Sequence, residues 1–314
     1  LGPRARARPR GYSKQKTRDQ PARGRHAGRM LSRRQFVIGA AAFLGAARLR
    51  AAGEASGTSP VVPARGAPSR ELIRDAGFRS GFALLAPKPG KRVVYGRLRG
   101  GDGKAVEPAW ELAQWSSRFP LPVAAAVSPA PGIRRWANAA KEITVGEPGT
   151  PAADLALGVN TVVEYPQRAR RAGEPWVHLL VEQQFIHAPS LAALTAARLR
   201  LQARLLKAEH HRTEDYSPAL HAAQFQLFLT VQHRNRQSPG FGDFVWFGIP
   251  LFDDRARFPR EHKARDTAGS GKFIFTPGGE VFADRSAHDG EWITVDRQLR
   301  PLLLEALATA RQNG

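Results

Sequence analysis

The chain has 314 residues and a formal net charge of +21, but that charge is concentrated at one end. Residues 1–29 carry +9 and residues 30–52 a further +4, which leaves only +8 for residues 53–314. The remainder is mildly basic, so we predict no nucleic-acid partner, and an acidic ligand remains compatible with the charge. The absence of cysteine excludes disulfides, cysteine metal sites, cysteine nucleophiles and a lipoprotein anchor.

Residues 1–29 are rich in Arg, Pro and Gly and contain almost no apolar side chains. Such a stretch cannot bury enough surface to fold. Met30 is the single methionine of the chain, and the sequence after it reads like a fresh start. We therefore interpret residues 1–29 as a misannotated upstream segment, with a genuine disordered basic tail as the alternative.

Residues 30–55 contain the most specific motif of the chain. Residues 32–37 (SRRQFV) closely resemble the twin-arginine export signal of bacteria, and an Ala- and Gly-rich apolar run follows. At about twelve residues, this run is too short to span a bilayer. The resemblance implies recognition by the twin-arginine export machinery and a periplasmic or secreted protein. A short amphipathic helix with a chance Arg pair is the alternative. Residues 56–70 read as a linker.

Residues 71–314 predict one domain of short strands. Residues 71–78 suggest a short helix, residues 110–115 (WELAQW) a helical turn or a strand, and residues 256–271 a surface loop. Asp296 looks like the N-cap of a final helix over residues 299–311. Short alternating runs without a βαβ rhythm indicate an all-β fold, and we favour a jelly-roll β-sandwich with a C-terminal helix. The predicted strands are residues 81–85, 92–98, 121–127, 141–145, 155–165, 177–185, 198–209, 221–232, 243–251, 272–276 and 291–295.

The central strands alternate between an apolar side and a polar side. A solvated face would favour Lys, Glu and Thr, whereas Gln dominates here, so we predict a ligand groove, with an ordinary antiparallel sheet that has one solvated face as the alternative. Amides and charged groups satisfy sugar hydroxyls, and aromatic rings cover the apolar faces of sugar rings. The predicted substrate-binding residues are His178, Gln184, Arg204, Gln224, Gln226 and Trp246.

Glu164 and Glu182 are the carboxylates that we pair as catalytic residues. Glycoside hydrolysis needs one carboxylic acid and a second carboxylate, and their separation decides between retention and inversion. Alternation within strands does not give that distance. The alternative is that each Glu is an ion-pair partner of an arginine on the strand 198–209.

Lyase chemistry on an acidic glycan is the main competitor. Proton abstraction beside a uronic acid needs a base and a group that neutralises the carboxylate. His178, Gln224, Arg204 and Tyr216 carry those functions.

Metal binding is not indicated by any motif. The loop 209–215 (EHHRTED) contains many possible ligands, but no zinc spacing, so we interpret it as a surface loop. We predict no cofactor and leave a structural calcium at Asp253 and Asp254 open.

Two strand sequences, QFQLFLTVQ at residues 224–232 and DFVWFGIPL at residues 243–251, carry a family resemblance. Together with the predicted export and the lack of cysteine, they resemble the concanavalin-A-like jelly-roll class of carbohydrate-active proteins. The resemblance implies a sugar polymer as ligand and assigns no catalytic residue. The sequence thus favours an exported glycoside hydrolase, with a polysaccharide lyase, a non-catalytic glycan-binding protein and a structural envelope protein as alternatives.

Overall fold

The structure is a computed structural model that describes residues 37–40, 45–50, 69–89, 92–100, 106–146, 155–267 and 269–313. These residues belong to one compact unit, Arg33–Gly314. The predicted upstream segment 1–29 and linker residues 56–68 lie outside the described residues. The elements in chain order are β1 (Val37–Ala40), β2 (Gly45–Arg50), β3 (Gly81–Leu85), β4 (Val94–Arg99), β5 (Trp110–Ala113), β6 (Arg134–Ala137), β7 (Lys141–Val145), β8 (Leu155–Val159), α1 (Thr161–Glu164), β9 (Leu179–Glu182), β10 (Arg198–Ala208), β11 (Gln224–Gln232), β12 (Phe244–Asp253), β13 (His262–Arg265), β14 (Phe273–Thr276), β15 (Ile293–Gln298) and α2 (Arg300–Asn313).

The described strands form two sheets. The larger sheet has the order β13-β14-β12-β11-β1-β9-β5-β3-β4, and the smaller has the order β15-β10-β2-β8-β7-β6. The pairs β3–β5 and β12–β14 are parallel, and the other strand pairs of the described chain are antiparallel. Each parallel pair needs a connection that leaves the sheet and returns.

One hydrophobic cluster draws side chains from both sheets. Phe82 on β3 meets Trp136 on β6 edge to face, with ring centroids 6.1 Å apart, so the two sheets pack on each other there. Alternate residues of the long strands point into this cluster, as the period-2 pattern predicts. The prediction of an all-β fold with a C-terminal helix is confirmed.

The prediction for residues 155–165 is wrong at its C-terminal half. Strand β8 ends at Val159, and α1 follows. The side chain of Asn160 accepts a hydrogen bond from the backbone N–H of Val162 at 3.1 Å, which is the N-cap geometry that stops a strand and begins a helical turn. Glu164 therefore lies on a helical turn and not on a strand.

Four other local predictions are corrected. Residues 71–78 form an irregular segment with a turn at residues 76–77 rather than a helix, and residues 121–127 contribute only an isolated bridge at Val127. The predicted loop 256–271 contains β13. Asp296 does not cap the last helix: it lies within β15, and its carboxylate accepts a hydrogen bond from Arg198 Nη2 at 2.7 Å.

Part of the predicted export signal lies within the sheets. Strand β1 pairs with β9 on one side and β11 on the other, and β2 pairs with β10 and β8. The twin-arginine pair itself, Arg33 and Arg34, lies outside the described residues. When this segment is attached, β1 is therefore an inner strand of the larger sheet and β2 an inner strand of the smaller sheet.

Candidate functional site

The larger sheet has a second face, turned away from the shared core. It carries a small hydrophobic cluster of its own, so this face is neither fully solvated nor part of the main core. Aromatic rings border the cluster. The buried members are Leu85, Ala113 and Leu180, and the half-buried members are Val94, Trp115, Phe228 and Trp246.

Two carboxylates face each other on this side of the sheet. Glu111 on β5 and Glu182 on β9 are direct partners in the antiparallel register. Their neighbours Leu112 and Val181 point into the main core, so both glutamates point the opposite way. Directly opposed residues have Cβ atoms about 4.5–5.5 Å apart, so the two glutamates are close neighbours on this face.

Arg92 joins this pair from the segment just before β4. Its Nε donates a hydrogen bond to Glu111 Oε1 at 2.5 Å. The hydrogen bond to Glu111 raises the pKa of Arg92, and the charge of Glu182 adds to the effect. Glu182 is only 1% exposed, whereas the Glu111 side chain is 12% and that of Arg92 40% exposed. Solvent therefore reaches Glu111 from the Arg92 side, whereas Glu182 is almost closed off from it.

Glu111 is the site residue that sequence reasoning missed. The stretch WELAQW fits a helical turn as well as a strand, so its pattern does not orient the glutamate. The signal was present nevertheless: Trp110 and Leu112 are both fully buried, and that alternation turns Glu111 to the other face.

Most of the predicted binding residues share this face. His178, Gln224, Gln226 and Trp246 alternate with core residues of the larger sheet, as predicted. Gln184 lies two residues beyond the end of β9.

The contacts of these side chains show which of them are already engaged. Gln224 Nε2 donates to Asp253 Oδ2 at 2.7 Å. Trp246 Nε1 donates to Ser270 Oγ at 3.1 Å. The Trp246 ring also meets Phe228 edge to face at 5.7 Å, which leaves an aromatic patch across β11 and β12.

Glu164 and Arg204 do not lie with the other predicted site residues. The carboxylate of Glu164 is fully buried, forms an ion pair with Lys141 and accepts hydrogen bonds from Ser117 Oγ at 2.7 Å and the backbone N–H of Arg118 at 2.8 Å. Glu164 is therefore the acidic member of a buried structural ion pair. The predicted pairing of Glu164 with Glu182 is wrong, because the Glu164 carboxylate is held by Lys141, Ser117 and Arg118.

Arg204 is separated from the site for a different reason. It lies on β10 of the smaller sheet, where its guanidinium lies 5.6 Å from the ring centre of Trp292. Alternation along β10 was predicted correctly, but the polar side belongs to another sheet. The predicted lyase set is therefore not assembled as a whole, because it included Arg204.

The loop 209–215 packs near the end of β12. His210 Nδ1 lies 3.7 Å from Asp254 Oδ2, and the ring of Tyr216 lies 4.6 Å from that of His210. Burial raises the pKa of Asp254. Asp253 accepts hydrogen bonds from Arg255 and Gln224, so both of its oxygens already have protein partners.

A search for metal sites in the described part of the chain found no group of three or more His, Asp or Glu side chains suited to a metal ion. None of the described helices is both long and apolar enough to cross a membrane. A scan of protein-family models, a search of curated proteins and a search of solved structures each found no match to this chain.

Proposed function

We propose that this chain is an exported polysaccharide-active protein, a glycoside hydrolase whose catalytic pair is Glu111 and Glu182. The observation that carries the proposal is the register of β5 and β9, in which these two residues are direct partners on the face outside the main core. A pair of carboxylates is the minimal equipment for glycoside hydrolysis.

The cross-strand distance favours retention of configuration at the anomeric carbon. Retaining enzymes hold their carboxyl groups about 5–5.5 Å apart, and directly opposed side chains begin about 4.5–5.5 Å apart at Cβ. We assign the nucleophile to Glu111, whose charge is balanced by Arg92. Glu182, which is more buried, is then the acid that protonates the leaving oxygen and later activates water.

The surroundings of the pair fit a sugar ligand. Trp115, Phe228 and Trp246 offer aromatic rings, and Gln226 offers an amide, on the same face of the sheet. In this proposal the two packed sheets are a jelly-roll sandwich of the concanavalin-A-like class, and no cofactor takes part. A structural calcium at Asp253 and Asp254 stays a hypothesis. The hydrogen bonds that Asp253 accepts from Gln224 and Arg255 do not support it, because they already occupy its carboxylate.

A non-catalytic glycan-binding protein is the second candidate. It is favoured by the 1% exposure of Glu182, which restricts the approach of a glycosidic bond to that carboxylate. The aromatic rings and amides would serve the same ligand in both cases. A polysaccharide lyase is the third candidate and is distinguished by its product.

Incubation of the full chain with xylan, β-glucan, alginate and polygalacturonate tests these functions together. We expect new reducing ends from at least one polymer and no rise in the ultraviolet absorbance that unsaturated uronates produce. A rise in that absorbance would identify a lyase. Retention of the chain on a polymer without any product would identify a binding protein. The absence of both retention and product would contradict carbohydrate recognition.

Export by the twin-arginine route is the other part of the proposal. Replacing Arg33 and Arg34 by Lys is expected to retain the precursor in the cytoplasm, because the receptor reads the arginine pair as a motif. Cell fractionation with immunoblotting measures this. The double variant Arg48→Lys, Arg50→Lys is the matched control and should be exported normally. Export of both variants to the same extent would contradict the assignment.

The mass of the exported chain shows whether strands β1 and β2 remain in the exported protein. A chain that begins after Arg50 has lost strands β1 and β2 with the signal, whereas one that begins before Val37 keeps both strands in the sheets.

A further inference from the structure

The ladder between β5 and β9 continues beyond the carboxylate pair. After Ala113 and Leu180, the backbone N–H of His178 donates to the carbonyl of Trp115 at 3.0 Å, so these residues are also neighbours across the two chains. Three cross-strand pairs therefore follow one another on the face outside the main core. They are Glu111 with Glu182, Ala113 with Leu180, and Trp115 with His178.

The last pair has the chemistry of a sugar contact. The rings of Trp115 and His178 meet at 61° with centroids 5.8 Å apart. Nδ1 of His178 lies 2.9 Å from the carbonyl oxygen of Trp176, which can only accept, so Nδ1 carries a proton. Burial lowers the pKa of His178, which favours the neutral ring and leaves Nε2 as an acceptor for a hydroxyl beside the indole.

The spacing separates this pair from the carboxylates. Glu182 and His178 are four positions apart along the chain, and a strand rises about 3.3 Å per residue, so the separation is about 13 Å. Ala113 and Leu180 lie in the interval at 0% and 3% exposure, covered by the half-buried apolar side chains that pack against their cluster, so the surface between the two ends is apolar. A single sugar ring is too small to touch both ends.

We propose that Trp115 and His178 form a distal sugar subsite, so that the ligand is an oligosaccharide lying along β5 and β9 with one ring on the carboxylate pair and another on the Trp115 indole. The hydroxyl of the distal ring donates to Nε2 of His178, and the C–H face of that ring covers the indole. This inference deepens the proposed hydrolase function and rests on it.

Kinetics on oligosaccharides of two to six units, prepared from the polymer that the wild type cuts, tests the subsite. We expect kcat/KM of the wild type to rise with chain length and then level off. Trp115→Ala should lower kcat/KM about tenfold for the long substrates, the effect of losing roughly 1.4 kcal/mol of binding, and leave the shortest cleaved substrate unchanged. Trp115→Phe should keep most of the activity, because it keeps an aromatic face.

Trp292→Ala is the matched control, since Trp292 is also half-buried but lies beside Arg204 of the smaller sheet. It should leave the length dependence unchanged. An equal loss at every length in Trp115→Ala would show a structural role and overturn the subsite. If Trp115→Ala does not fold, His178→Asn replaces it, because Asn can keep a donor near the Trp176 carbonyl and removes the Nε2 acceptor.

Failure of the proposed function gives a different result. If the wild type cuts none of the polymers, calorimetric titration with oligosaccharides of two and six units from xylan, β-glucan and alginate tests the subsite by itself. Tighter binding of the six-unit ligand, lost in Trp115→Ala, supports the subsite in a binding protein. Equal affinity for both lengths, or no binding, overturns it.

Discussion

Glutamine in place of Glu182 is expected to lower the rate of glycan cleavage at least about a hundredfold, the usual scale for a lost general acid or base. The substitution keeps the length of the side chain, so a residue that is 1% exposed loses little packing. Glu111→Gln should cause a loss of the same order, because both carboxylates are needed. Initial rates on the best polymer measure these losses, with circular dichroism as the check on folding.

An aryl glycoside with a leaving group that needs no protonation separates the two roles. Glu182→Gln should still release the aryl group from it, because the attack does not need the acid. Glu111→Gln should not, because it lacks the nucleophile.

The matched control for both variants is Glu107→Gln. Glu107 also belongs to an ion pair beside β5, with Arg97 at 2.9 Å, but its side chain is 70% exposed. It should retain wild-type rates. A Glu182→Gln variant that folds and turns over as fast as the control would exclude the proposed catalytic pair.

Glu164→Gln is expected to be the most destabilising single change among those considered. Lys141 and Glu164 have no exposed side-chain surface, and the ammonium also donates to Ser117 Oγ at 2.5 Å and to the carbonyl of Phe119 at 3.2 Å. Burial lowers the pKa of Lys141, whereas the hydrogen bond and charge of Glu164 raise it. Removing one charge of a buried pair costs about 3–5 kcal/mol, because the other is left without compensation. Urea unfolding measures the loss.

The double variant Lys141→Met, Glu164→Gln removes both charges and should recover part of this loss. Arg135→Met is the control, because it breaks a pair with Glu142 in which both side chains are about half exposed, and such surface pairs contribute about 0–1 kcal/mol. Equal destabilisation by Glu164→Gln and Arg135→Met would contradict the assignment of Glu164 as a structural residue.

The strands that the sequence predicts best are those with many alternations. Strands β10, β11 and β12 have nine to eleven residues, long enough for the period of two to be recognised although the β10–β2 and β11–β12 pairings each contain a register shift. Strands of four residues, such as β5, span only two periods, too few to distinguish a strand from a helical turn and so to orient Glu111. Asn160 shows a different limit, since its side chain ends a strand through a local hydrogen bond that competes with the apolar pattern.

Only part of the candidate site could be predicted from the sequence. Alternation is a local property of a strand, whereas sheet membership depends on distant parts of the chain. The strands that carry His178, Glu182, Gln224, Gln226 and Trp246 share one sheet, so alternation within each strand is enough to place these residues on one face. Arg204 had a correct orientation along β10, but β10 pairs with β15 in the other sheet. No pattern within a strand reveals its partner.

The pairing of β10 with β15 also has a consequence for the synthesis of the protein. Arg198 pairs with Gln298, so this edge of the smaller sheet cannot close until a further hundred residues have left the ribosome. Contacts of such long sequence separation slow folding, because chain entropy is lost before the contacts form. During that interval β10 presents unpaired backbone groups to other chains. We therefore expect nascent chains to need a chaperone that shields β10 until β15 has emerged.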